Sequence, residues 1–315
     1  MNKNFKNLFS IGIIVVALAI GFFVSCKKNS KNPNELKETV IQGTATMLVD
    51  ETLQPIAEDN IAVFESQYPV KLTQINKSET EIINDLISQK NNIAILGRKL
   101  TTEESVIFAN KKIIPRITPF AIDAIALVTS NVSKDTLIDL QEVINLLQSK
   151  PSKLKSLVFE NPNSSTINYM NRVAGIKITA KNNIFSLKNN NAVLQYVIDN
   201  PGTIGVVGLN GIVQPTPYDQ ILLKKINVMA VRNVKTKPNS TEYYKPSQDN
   251  LGAGLYPLSR EVYVLNYQGG QGLGMGFASF VAGEIGQRII LKSGLLPIRI
   301  PSRTINIRKG IYNNK

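Results

Sequence analysis

Ser164, Ser165 and Thr166 stand together in Asn161-Pro-Asn-Ser-Ser-Thr-Ile-Asn-Tyr-Met170, a turn that runs into a helical stretch. The first turn of a helix carries backbone N–H groups with no intrahelical acceptor and the positive end of the peptide dipoles. Hydroxyls there add donors without adding charge, so the stretch makes a seat for an oxyanion. The same residues also read as an ordinary helix cap, because Ser and Thr are favoured at that position. Ser78-Glu-Thr-Glu81 and Thr101-Thr-Glu-Glu104 are two more helix starts with hydroxyls, both of the Ser/Thr-x-x-Glu capping-box form, and Arg98 lies between them.

Most other chemistry is excluded by composition. The chain has no histidine and a single cysteine, Cys26, so His-based triads, Cys–His pairs and histidine metal sites are all missing. No two carboxylates fall in a recognisable catalytic motif. The Gly-rich run Gly269–Gly276 lacks both Gly-x-Gly-x-x-Gly spacing and a Gly-Lys-Ser/Thr, and reads as a connector. A binding protein is expected rather than an enzyme, with no cofactor and no metal.

The elements that must position these residues follow an alternating pattern. Val40–Met47 reads as a strand ending at Gly43 with a hydroxyl-bearing turn after it. Leu53, Ile56, Ala57, Ile61, Phe64 and Tyr68 then recur three or four apart, as on one buried helix face. Val70–Ile75 and Asn92–Gly97 read as further strands, each followed by a capping box. Three strand–helix units in a row predict a mostly parallel sheet, whose ligand crevice lies beyond the carboxyl ends of its strands.

Ile113–Ser130 reads as a chain crossing to a second lobe. Asp123 in its apolar centre suits either a cap for a neighbouring loop or a hinge role. A helix over Leu140–Leu147, a strand at Leu157–Phe159, a helix over Ala192–Ile198 and a strand at Thr203–Gly208 follow. Ile221–Val234 shows β-like alternation, and Lys235–Gly254 reads as a loop. Tyr256–Tyr267 is a strand crossing back, and Phe277–Leu291 a helix ending near Gly294.

The first 25 residues carry Lys3 and Lys6, no acid, and the apolar run Ile11–Val24, which at about 14 residues is short of the roughly 20 needed to span a bilayer. Ending at Phe23-Val-Ser-Cys26, they read as a lipoprotein signal peptide with acylation expected at Cys26. Residues 26–38 form a polar tether. The 36 basic and 23 acidic residues give +13; without Lys3 and Lys6, 34 bases against 23 acids leave +11. About 290 residues remain, enough for two full-sized lobes. Seven bases and no acid follow Gly286, a basic end suited to phospholipid or an acidic partner. Export argues against nucleic acid as a partner class, and none is expected.

The order and spacing of Tyr256-Pro-Leu-Ser-Arg260, Asn200-Pro-Gly-Thr-Ile-Gly-Val-Val-Gly208 and Gly286-Gln-Arg-Ile-Ile with Gly294-Leu-Leu-Pro297 resemble the periplasmic phosphate-binding proteins of ABC transporters. The resemblance covers nearly all of residues 40–301. It implies a two-lobed type II α/β fold, each lobe a mostly parallel sheet flanked by helices, joined by crossing strands. The implied bounds are 39–120 and 255–300 for the first lobe, 121–254 for the second, and 301–315 for a basic tail. The implied function is a monomeric, periplasm-facing lipoprotein that captures phosphate or a similar oxyanion for a membrane permease. By the same resemblance the ligand-binding residues fall on Thr44, Thr46, Met47, Ser78, Thr80, Arg98, Ser164, Ser165 and Thr166.

Two departures bear on this. Asn76, Lys77 and Glu79 replace the glycines of the second binding turn. Glu160 stands where relatives have an arginine, and at about 4 Å and an effective dielectric near 20 a like charge costs roughly 4 kcal/mol, nearly three decades of affinity. The alternative these raise is a binding-protein fold kept as an envelope interaction module.

Overall fold

The computed structural model describes residues 38–177 and 183–301. Cys26, the expected leader, the rest of the tether up to residue 37, and the tail from residue 302 lie outside the described residues. Among the described residues no helix is long and apolar enough to cross a membrane.

The chain opens as expected, alternating β1 (Gly43–Asp50), α1 (Gln54–Gln67), β2 (Val70–Lys77), α2 (Glu79–Ile87), β3 (Ile93–Leu96) and α3 (Thr102–Asn110). β1 lies between β2 and β3, parallel to both. α1 buries Ile56, Ala57, Ile61 and Phe64, the three-and-four spacing of one face. Both capping boxes form: Ser78 with Glu81 begins α2, and Thr101 with Glu104 begins α3.

The long β4 (Arg116–Ser130) joins two halves of one sheet, Arg116–Ala124 pairing with the last long strand and Ile125–Ser130 with strands of the second half. That second half comprises β5 (Leu137–Asp139), α4 (Leu140–Leu147), β6 (Ser156–Phe159), α5 (Ser165–Ala174), β7 (Ile184–Ser186), α6 (Asn190–Asp199) and β8 (Thr203–Gly208). β6 is parallel to both β7 and β8. After it come α7 (Asn210–Val213), α8 (Pro217–Leu223), β9 (Ile226–Val228), β10 (Ala230–Arg232), β11 (Tyr243–Tyr244) and α9 (Gln248–Gly252). The chain returns through β12 (Ser259–Asn266), α10 (Leu273–Ala282), α11 (Glu284–Ser293) and β13 (Leu296–Pro297).

The sheet order β2-β1-β3-β12-β4-β8-β6-β7 places two parallel sets on either side of the antiparallel β12–β4 pair. This is a mixed α/β fold with the two-lobed plan, its halves curling about the crossing strands. The core runs through both halves, from Phe64 and Phe277 to Phe159 and Met170.

Four local readings change, one of them being that Lys235–Gly254, read as a loop, contains β11 and the short α9, which Ser247 caps. Gly43 begins β1 instead of ending a strand, with φ +114° that favours glycine, and Thr44–Met47 lie within β1. The turn falls later, at a 3₁₀ segment Glu51–Leu53, where the Asp50 side chain accepts from Thr52 N. Ile221–Val234 opens with the end of α8, because Thr216 and Asp219 form a capping box with Pro217 in the first turn. Phe277–Leu291 is two helices, broken where Gly283 is extended and Gly286 sits so close that an added Cβ would lie 2.4 Å from Val281 Cα.

Candidate functional site

The carboxyl ends of β1, β3, β6 and β8 approach one another at the N-terminus of α5. Ser164 caps that helix, accepting from Ile167 N at 3.4 Å, and the first intrahelical bond runs from Asn168 N to Ser164 O. The N–H groups of Ser165 and Thr166 therefore precede the helix's own acceptors. Ser164, Ser165 and Thr166 are buried.

Their hydroxyls split into two strands of hydrogen bonding. Ser164 Oγ and Thr166 Oγ1 lie 2.8 Å apart, and Thr166 Oγ1 donates to Glu160 Oε1 at 3.0 Å. Glu160 is only 3% exposed, so its carboxyl points inward. Burial pushes its pKa up to about 8, against the Thr166 hydrogen bond, which lowers it; nearby Asp50 and Glu51 push further up.

Ser165 faces the other way. It accepts from Arg260 Nη1 at 2.8 Å and sits 3.2 Å from Thr52 Oγ1. Arg260 Nη2 donates to Thr52 Oγ1 at 2.7 Å, and both Nε and Nη2 donate to Asp123 Oδ2, at 2.9 and 2.7 Å. Burial disfavours the Arg260 cation, but Asp123 and Asp50 outweigh that and hold its pKa up. Thr52 Oγ1 in turn donates to Asp50 Oδ1 at 2.9 Å. One oxygen of each acid, Asp50 Oδ2 and Asp123 Oδ1, is buried without a hydrogen-bond partner among the described residues. Gly97, at the end of β3, leaves room for the arginine: a Cβ there would meet Arg260 Cδ at 3.0 Å.

The other expected site residues divide. Ser78 and Thr80 lie at the N-terminus of α2, which faces α5: Thr80 N and Oγ1 both donate to Asn163 O at 3.3 Å, and Asn168 Nδ2 donates to Glu79 Oε1 at 3.1 Å. Ser78 Oγ donates to Glu81 within its capping box. Arg98 donates through Nε to Glu79 and through Nη1 and Nη2 to Glu104, so its charge is matched by two acids. Lys77 pairs with Asp85. Thr44, Thr46 and Met47 are not brought to the cluster. They precede Asp50 by six, four and three residues along a strand rising about 3.3 Å per residue, and Met47 is core.

Five residues of the cluster fall outside the sequence-derived site: Asp123 and Glu160, which the sequence marks for other reasons, and Asp50, Thr52 and Arg260. Asp50-Glu-Thr with Pro55 just beyond has the look of a strand end and helix start, a signal that points to the 3₁₀ turn. Arg260 ends the Tyr256-Pro-Leu-Ser-Arg260 stretch of the resemblance, but nothing local assigns it to the site: the pairing of β12 with β4 sets it opposite Asp123.

Beside this cluster, and sharing Thr52 and Glu160 with it, lies a cavity of about 640 Å³ between the two halves. Among the described residues no group of histidine, cysteine or acidic side chains could hold a metal ion.

The sequence matches the family described as the PBP superfamily domain over residues 36–284. Among curated proteins no sequence matches. Among solved structures, the fold is similar to one described as a phosphate ABC transporter substrate-binding protein with bound phosphate from Clostridium perfringens. That match has a TM-score of 0.64 and 16% identity, over 82% of this chain and 100% of that one. An ABC-type phosphate transport receptor from Vibrio cholerae gives 0.61 and 15%, over 81% and 100%. With most of its length inside the family match and the two-lobed fold in common with these structures, the chain belongs to the PBP superfamily.

Proposed function

We propose that this chain is the solute-binding component of an ABC-type importer, holding phosphate or a similar oxyanion between its lobes and delivering it to a membrane permease. The observation that carries the reading is the burial of Ser164, Ser165 and Thr166 at the start of α5, with the Arg260 guanidinium donating to Ser165 Oγ. Hydroxyl donors, free helix N–H groups and one guanidinium are what a desolvated oxyanion needs. The two similar structures are themselves described as phosphate binders or receptors.

Glu160 is compatible with this reading because of its environment. With a pKa of about 8 it is about nine-tenths protonated at pH 7, so the roughly 4 kcal/mol like-charge penalty does not apply and a carboxyl O–H becomes available as a donor. Thr52 belongs to the other half of the sheet from α5. When the lobes part, Thr52 leaves Ser165, and an entering oxyanion takes up the donors that Thr52 and Ser165 occupy in the closed form. The lobes close because the closed state makes more ligand contacts, without covalent chemistry. Lipid attachment at Cys26 would keep this monomeric receptor on the envelope, facing the periplasm.

A second reading, an interaction module without phosphate binding, is favoured by one observation. Arg260 already makes four bonds with its five N–H groups, and the halves are bridged directly by Thr80–Asn163 and Asn168–Glu79. Calorimetry with phosphate, sulfate and molybdate separates the two. Saturable heat from at least one of them supports capture; none from any, with the fold intact by circular dichroism, leaves the module.

A further inference from the structure

Between α3 and β4 the chain reads Lys111-Lys-Ile-Ile-Pro-Arg116, three cations and no acid around two isoleucines. The way α3 ends fixes what this loop presents. Lys112 N donates to Ala109 O at 3.0 Å and Ile113 N to Phe108 O at 2.9 Å, the paired bonds of a Schellman motif. Ile113 folds back onto the core that holds Phe108, and Ile114 is left 80% exposed, with Pro115 and Arg116 exposed after it. Lys112 fills the left-handed position of the motif, at φ +55°, where glycine is the usual and least strained residue. The loop therefore keeps a cation where backbone preference argues against one.

A lone exposed isoleucine is ordinary. This one stands where both ends of the described chain arrive. Glu38, the first described residue, accepts from Gln268 Nε2 and Leu273 N, both at 2.8 Å. That same segment touches the loop: Arg116 Nη1 donates to Met275 Sδ, and a Cβ added to Gly269 would lie 3.9 Å from Ile113 Cγ2. Glu38 is twelve residues beyond Cys26, and a chain of that length spans at most about 40 Å. At the other end of the chain, Leu296 and Pro297 pair antiparallel with Ile122 and Ala121, and Ile298 N donates to Phe120 O, so the returning chain heads for the start of β4. Arg299 and Ile300 are exposed there, Ile300 by 81%. Residues 302–315 then add four bases and no acid.

We propose that this end of the first lobe, the 111–116 loop together with Ile300, docks on an anionic phospholipid bilayer. Ile114 enters the boundary of the acyl chains while Lys111, Lys112 and Arg116 meet the headgroup phosphates. The choice of a bilayer rests on the lipid attachment at Cys26 proposed above, since twelve residues hold this face close to the leaflet that takes the acyl chains. The α5 seat lies beyond the carboxyl ends of β1 and β3, at the opposite end of those strands, so docking leaves it open to solvent.

The chain has no tryptophan, so one introduced indole reports one place. Ile114→Trp is compared in the whole chain with Val132→Trp, a site 69% exposed just past the far end of β4. The probes are vesicles of brominated phosphatidylcholine, alone or mixed with phosphatidylglycerol. With phosphatidylglycerol present, the indole at position 114 should shift to the blue and lose more than half its emission to bromine, and the indole at position 132 should do neither. Each cation strengthens partitioning onto an anionic surface roughly fivefold. Lys111→Gln, Lys112→Gln and Arg116→Gln together should therefore raise the lipid concentration at half response about a hundredfold, with the fold checked by circular dichroism. An indole at position 114 that stays in water overturns the inference, and so does an equal response in the two vesicle types, at the two positions, or in the charge variant. Mass spectrometry of Cys26 reports the attachment separately: an unmodified Cys26 with a docking loop sinks the attachment alone, and an acylated Cys26 with the indole in water sinks the docking alone.

Discussion

Arg260 and Asp123 are register partners in the β12–β4 pair, and the guanidinium places two N–H groups on the single oxygen Oδ2 of that carboxylate. Side-chain exposures of 3% and 0% make it a fully desolvated ion pair at the point where the sheet passes from one half to the other. Desolvation makes such a pair a poor source of net stability, yet breaking it is costly because the survivor is left charged and unpaired.

Arg260→Ala should therefore destabilise the chain by about 3–5 kcal/mol in urea unfolding, and Asp123→Ala by a similar amount. Replacing both together, Arg260→Met with Asp123→Leu, should recover most of that loss. Additive losses in the double variant would contradict the pairing.

Glu160 gives a pH signature. Its folded pKa of about 8 lies above the ordinary 4.5, so between these values the folded state holds the proton more tightly than the unfolded state. Its contribution is full below about pH 4.5, declines through this window by up to about 1.4 kcal/mol per pH unit, and is lost above about pH 8. Glu51, Glu79 and Asp123 are raised as well and slope the same way, so the comparison must be with Glu160→Gln. The variant's stability should fall less steeply between pH 5 and pH 8 than the parent's; parallel curves would contradict a protonated Glu160.

Arg98 separates stability from binding. Its donors go to Glu79 and Glu104, and Glu79 is only 1% exposed. Arg98→Ala should cost about 2–3 kcal/mol of stability by leaving Glu79 without its main counterion, with anion affinity changed less than threefold. A tenfold loss of affinity in the folded variant would put Arg98 back among the ligands.

Ser164→Ala removes the α5 cap. Thermal unfolding should show a loss of about 1 kcal/mol, the usual effect of losing a Ser N-cap. An unchanged midpoint would mean that Ser164 does not act as a cap.

Much of this fold was legible because its signals are local. The capping boxes at Ser78 and Thr101, the helix face from Ile56 to Phe64 and the strand Thr203–Gly208 depend on near neighbours, and they stand where the sequence puts them. The α5 hydroxyls were legible for the same reason. The turn after the first strand was placed too early because Thr44 and Thr46 look like turn hydroxyls until β2 and β3 pair on either side of β1 and draw them into the strand. The partners of Arg260 could not be read at all, since Thr52, Asp123 and Ser165 lie 208, 137 and 95 residues away from it. Glu160 was legible as an unexpected acid but not as one whose pKa burial raises, because that burial comes from the folded surroundings.

The most direct test of the account is titration of phosphate into the whole chain at pH 7, with Ser165→Ala beside it. The account predicts saturable heat for the parent and at least a tenfold weaker response for the variant, which loses the hydroxyl between Arg260 and the start of α5. No heat from the correctly folded parent, or equal affinity in the two proteins, would contradict it.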